Sequence, residues 1–69
     1  MTARITLGQK RVRINFNPSD NSTVEVIKST TAGLIDLCES IKYRDPRLVA
    51  LAQTAYEEAA MWAVKAATA

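Results

Sequence analysis

The stretch from Asp45 to Ala69 constrains the fold most, because it opens on a helix-start signal and keeps one apolar repeat to its last residue. Asp45 suits an N-cap, and Pro46 suits the first helical position, where its missing N–H costs nothing. Leu48, Ala52, Ala55, Ala59, Trp62, Ala66 and Ala69 then follow at steps of four and three. The centre of this seam is nearly all alanine, so a neighbouring helix axis can come close. Leu51 flanks the seam on one side, toward which Trp62 leans, and Val49 and Tyr56 flank it on the other. Gln53, Thr54, Glu57, Glu58, Lys65 and Thr68 form the polar face, and Met61 lies among them. An exposed Met61 beside Trp62 is expected to serve as an oligomer interface.

The neighbour is expected just upstream. Ser22 and Glu25 have capping-box spacing, and Val24, Ile27, Thr31, Leu34, Cys38 and Ile41 make a second helical seam. Ile35 widens that seam on one side, and Val26 and Leu37 on the other. The apolar sector exceeds what one antiparallel partner can cover. Gly33 sits mid-helix at a cost of ~1 kcal/mol relative to Ala; it marks a close approach or a tolerated flaw. Only a few residues separate the segments, so helices over 22–43 and 46–68 are expected to be antiparallel neighbours.

The N-terminal segment reads differently. Arg4 to Leu7 and Arg11 to Phe16 alternate apolar and polar residues, and Gly8 can supply a tight turn between them. This predicts a β-hairpin over 4–16 with Ile5, Leu7, Val12, Ile14 and Phe16 inward and the cations outward. Asn17 to Asn21 then forms a loop, with Pro18 keeping Asn17 out of the helical region. The expected fold is α+β, a β-hairpin packed on a two-helix hairpin in one domain, 1–69.

At 69 residues such a chain buries only about 60% of its unfolded surface. The lone Cys38 cannot form an internal bridge, and with no histidine there is no zinc site. Oligomerisation is therefore the expected source of extra stability, and no metal or cofactor is expected. Catalysis lacks a histidine base and a nucleophile elbow, and the carboxylates fit a solvated helix face, so the chain reads as no enzyme. No apolar run nears the ~20 residues of a membrane span, and MTARITLGQKR lacks a signal-peptide core, so a cytoplasmic protein is expected.

The net charge of +2 is unevenly spread: Arg4, Lys10, Arg11 and Arg13 all precede the first acid, Asp20. These cations suit a phosphate-bearing partner, or they guard strand edges against aggregation. Two stretches could hold a nucleotide. The start of the second helix offers free N–H groups beside Arg44 and Arg47, although the Asp45 carboxylate opposes an anion there. Phe16-Asn17-Pro18-Ser19 could stack a base on Phe16 and bond its edge through Asn17, or Phe16 could simply continue the core face. Lys28 and Arg44 are candidate phosphate contacts by charge and position.

The segments GLIDLCESIK, DPR and LVALAQTAYEEAAMWAVKAA together resemble the helical hairpin shared by two kinds of phage sponge protein, the anti-CBASS cyclic-oligonucleotide sponge and the Thoeris anti-defence sponge. Asp45-Pro46-Arg47, Leu51-Ala52-Gln53-Thr54 and the run from Tyr56 to Ala63 carry the likeness to the first kind. Phe16-Asn17-Pro18-Ser19 looks more like the second. The resemblance implies sequestration, without cleavage, of bacterial immune signals: cyclised ADP-ribose isomers, and for some members cyclic di- or trinucleotides. It implies a homo-oligomer, dimer or hexamer, with ligands at subunit interfaces in the cytoplasm of an infected bacterial cell. By this resemblance Phe16 and Asn17 lie near the base, Arg47 matches a phosphate-contacting arginine, and Met61 and Trp62 match a packing pair. Asp45-Pro46 replaces the small residues beside that arginine. From the residues alone, the alternatives are a small basic nucleic-acid-binding or antitoxin-like dimer and a purely structural helical adaptor.

Overall fold

A computed structural model describes residues 4–17 and 21–69. It contains α1 (Leu7–Arg11), α2 (Ser22–Ser40) and α3 (Pro46–Ala67), with no strand among the described residues. The protein is all-helical there, and the α+β expectation with a β-hairpin over 4–16 is corrected.

The reason lies in contacts far along the chain. Thr6 and Gln9 form a full capping box: the Thr6 hydroxyl accepts from Gln9 N at 3.0 Å, and Gln9 Oε1 accepts from Thr6 N at 3.0 Å. Gly8 N donates to Asp36 Oδ1 on α2 at 2.7 Å. At its other end α1 closes with paired bonds, Arg13 N to Lys10 O (3.1 Å) and Ile14 N to Gln9 O (2.9 Å), with Arg13 at φ 56°. That is the Schellman pattern with arginine in the left-handed position usually held by glycine. Five residues are too few to hold a helix in water, so α1 depends on α2. Val12 is buried and Ile14 packs on the core, so the alternation did mark inward positions, but on a turn. Ile5, Leu7 and Phe16 stay exposed and form no inner face.

The two long helices pair antiparallel as expected. Asn21 Nδ2, beside the start of α2, reaches Ala67 O at the end of α3, and Gln53 Nε2 on α3 donates to Ile35 O (3.1 Å) and Glu39 Oε1 (3.0 Å) on α2. Asp45 caps α3 by accepting from Leu48 N at 3.1 Å, with Pro46 at its first position. The cap of α2 differs from expectation: Asn21 Oδ1, not Ser22, accepts from Thr23 N and Val24 N. Val12, Ala32, Ile35 and Ala60 form the core, with Ile14, Ile27 and Tyr56 against it. Burying Ile35 alone contributes roughly 1.5–3 kcal/mol.

The docking face of α3 sits one residue on from the expected seam, and that of α2 departs from its seam after Ile27. On α3, Val49, Gln53 and Ala60 are buried and Tyr56, Ala63 and Ala67 half-buried, whereas Leu48, Ala55, Ala59, Trp62 and Ala66 are exposed. On α2, Val24 is buried and Ile27 packs on the core as expected, but Lys28, Ala32 and Ile35 are buried beyond them, and Leu34 and Ile41 are exposed. One residue is about 100° of rotation, so each helix turns an apolar stripe to solvent. The molecule is a slab of 38 × 34 × 12 Å, with α1 and its following turn on one side of the hairpin only.

Candidate ligand site

The turn after α1 and the outer flank of α3 enclose a cavity of about 480 Å³. Its walls come from all three helical units: Arg11, Arg13 and Phe16 from the N-terminal segment, Lys28 from α2, and Thr54, Glu57, Glu58, Met61 and Val64 from α3.

Lys28 organises one wall. The residue is 5% exposed, and its ammonium donates to the carbonyls of Arg13 (2.9 Å) and Phe16. The Arg13 carbonyl also accepts from Phe16 N at 2.8 Å, so Lys28 adds a second donor there and supplies one to the Phe16 carbonyl. Burial, and then the Arg13 charge, lower the Lys28 pKa from its ordinary value. An ammonium has three donors, and two are committed to this turn.

Phe16 is half-exposed and carries two cations: the Arg13 guanidinium carbon lies 4.2 Å from the ring centroid and Lys28 Nζ 5.2 Å. A half-exposed aromatic ring with two cations close by suits a stacked base bearing phosphate. Arg11 does not add to this field, since its guanidinium is engaged by Glu57 (Nη2–Oε1 2.8 Å, Nε–Oε1 3.1 Å) and reaches Thr54 Oγ1 at 3.4 Å. This pair fastens α1 to α3. Arg13 and Phe16 also line a shallower hollow of about 360 Å³ with Ile5, Gln9, Lys10, Ile14 and Asn15, so the stacked pair divides two concavities.

The residues expected to bind a ligand do not all meet. Phe16 and Lys28 share the cavity, and Met61, expected at an oligomer interface, lines it too. Asn17 is occupied by the chain itself: its Nδ2 donates to Asn21 O (2.9 Å), and its Oδ1 accepts from Asn21 N (3.1 Å). Pro18 and Ser19 lie outside the described residues. Arg44 and Arg47 sit beyond the opposite end of α2, roughly 20 Å from Lys28 by helix rise. Arg44 packs on Tyr43, its Nε 3.2 Å from the hydroxyl, and Arg47 is exposed. Trp62 is exposed, with Lys65 Nζ 5.4 Å from its ring.

Sequence reasoning missed the part of Arg13 and of the α3 flank. Arg13 was legible only as one of several cations, because its place over Phe16 depends on the left-handed turn. Among the described residues no group of three or more His, Cys, Asp and Glu is gathered for a metal.

Residues 8–68 match the family model of the Acb2/Tad1 hairpin domain. No curated protein and no solved structure matches the chain.

Proposed function

Because the chain belongs to the Acb2/Tad1 hairpin-domain family, we propose that it is a phage anti-defence sponge that binds and holds bacterial immune signalling nucleotides without cleaving them. The observation that carries this reading is the cavity that Phe16 lines together with Arg13, Lys28 and Met61, both cations lying close to the ring. Its volume falls in the range of small-molecule sites, roughly 300–1,000 Å³. A base stacks on Phe16, and phosphate meets Arg13 and the remaining donor of Lys28. Cyclised ADP-ribose isomers are the first ligands of this reading, with cyclic di- and trinucleotides as further ones.

Arg44 and Arg47, at the far end of the hairpin, would belong to a second kind of site, shared between subunits of a dimer or hexamer. The protein would work in the cytoplasm of the infected cell; no helix among the described residues is long and apolar enough to cross a membrane. The nucleic-acid reading, which rests on a basic β-hairpin bearing Arg4, Lys10, Arg11 and Arg13, has less support, because no strand is present among the described residues and Arg11 is paired with Glu57.

The test is a thermal-shift panel of cyclised ADP-ribose isomers, cyclic dinucleotides and cyclic trinucleotides. Bound ligand is then recovered by denaturing the protein and identified by chromatography. Intact nucleotide recovered with a raised Tm supports the reading. No shift with any member refutes it, and recovery of cleaved nucleotide makes the protein an enzyme.

A further inference from the structure

The Phe16 cavity carries anions as well as cations, and the two signs come from different parts of the fold. Arg11, Arg13 and Lys28 reach it from the N-terminal segment and α2, whereas Glu57 and Glu58 reach it from α3. Glu57 is already engaged. Nε and Nη2 of Arg11 both donate to its Oε1, at 3.1 Å and 2.8 Å, so that pair adds little net charge.

Glu58 differs from its neighbour. It is exposed, and among the described residues it takes part in no ion pair. The positions three and four residues away, where a helix would place a partner, hold Thr54, Ala55, Met61 and Trp62, none of them a cation. The cavity therefore offers a ligand two cations, Arg13 and Lys28, and one unmatched carboxylate.

Charge then decides what the cavity admits. A phosphate bridged on both sides carries one negative charge, whereas a terminal phosphomonoester carries about 1.5 to 2 at pH 7. Two bridged phosphates match Arg13 and Lys28 one to one. The additional charge of a phosphomonoester finds no cation left and meets Glu58. Like charges about 4 Å apart repel enough, even in water, to weaken binding about fivefold, and more where water is excluded.

We infer that Glu58 is a specificity-determining residue of this cavity. It admits nucleotides whose phosphates are all bridged, and it turns away those that end in a phosphomonoester, such as mononucleotides and opened dinucleotides. The inference rests on the nucleotide reading above. It adds how a site built on phosphate-binding cations tells a cyclised signal from linear nucleotides.

Calorimetric titration at about 0.15 M salt tests it, because charges beyond about 8 Å are then largely screened and only a nearby carboxylate is read. Two ligand pairs differ by one phosphomonoester: the linear dinucleotides ApA and pApA, and a cyclised ADP-ribose without and with a 2′-phosphate. Wild type is expected to bind the phosphorylated member of each pair no more tightly than the other. Glu58→Gln keeps the shape and the helix propensity of the side chain and removes its charge. It is expected to shift the preference at least about fivefold toward the phosphorylated member, with circular dichroism and urea midpoint unchanged. Tighter binding of the phosphorylated member by wild type overturns the inference. So does a variant that binds with the wild-type preference, and in that case the nucleotide reading stands while the role of Glu58 falls. Silence of both pairs with both proteins also overturns it, and the thermal-shift panel then shows whether the nucleotide reading falls with it.

Discussion

The ammonium of Lys28 donates to the carbonyl oxygen of Arg13, 2.9 Å away, and ties the buried face of α2 to the one non-glycine residue with a left-handed backbone among those described. A non-glycine residue at φ 56° costs on the order of 1 kcal/mol, and the bonds from Lys28 to Arg13 and Phe16 oppose that cost. The cavity wall is therefore held in place from below by a residue that sequence alone offered as a ligand contact.

Lys28→Met should release this turn. Charge-assisted hydrogen bonds contribute about 1.5–3 kcal/mol, so trypsin cleavage after Arg13 is expected to quicken by about tenfold or more. Cleavage after Arg47, at the other end of the hairpin, should not change. Mass spectrometry of timed digests reads both, and equal rates after Arg13 in variant and wild type would refute the latch.

Gly8→Ala should detach α1. The added Cβ would press on the Ala32 carbonyl oxygen and lie 2.7 Å and 2.9 Å from the Ala32 carbonyl carbon and Cα, all backbone atoms that cannot turn aside. Such overpacking costs about 1–3 kcal/mol. Urea denaturation should show that loss, and amide exchange should show protection lost in residues 7–14 before the long helices.

Acid should weaken the α2–α3 contact through Glu39. The hydrogen bond from Gln53, with a smaller contribution from Lys42, holds the Glu39 pKa below its ordinary 4.5. The contribution is present above 4.5 and is lost as pH falls through the folded value. Gln53→Met and Glu39→Gln should each flatten the decline of the urea midpoint between about pH 5 and about pH 3. A slope equal to wild type in both variants would show that the bond carries no stability.

The two ends of the hairpin should separate by ligand. Phe16→Ala and Arg13→Gln are expected to weaken a nucleotide held in the cavity by about tenfold or more, since base stacking alone contributes roughly 1–3 kcal/mol. Arg47→Glu should leave that ligand unaffected and abolish binding of any ligand held at the α3 start. Calorimetric titration with each ligand that stabilises wild type distinguishes them. If Arg47→Glu weakens every ligand as much as Phe16→Ala does, the two ends form a single site.

Part of the site was legible in the residues. Phe16 stood out as an aromatic at the end of an apolar run, and Lys28 as a cation on an apolar helix; the fold brings both to one cavity. Arg44 and Arg47 were legible as a cationic helix start, but helix length places them far from Phe16 within one chain. The use of Asn17 could not be read, because its amide pairs with Asn21 only after the chain has closed its loop.

The sequence by itself determined the long helices, the Asp45-Pro46 start of the second and their antiparallel pairing, since caps, periodicity and a short link act locally. It also determined that no histidine chemistry is possible. Tertiary structure decided which face of each helix docks. Alanine, threonine and glutamine mark the inner side too weakly to resolve a shift of one residue, and the bonds from Gln53 to Ile35 and Glu39 settle it. Tertiary structure likewise decided that residues 7–11 are helical. Alternation suits a turn as well as a strand, and only the approach of Gly8 to Ala32 and Asp36 distinguishes them.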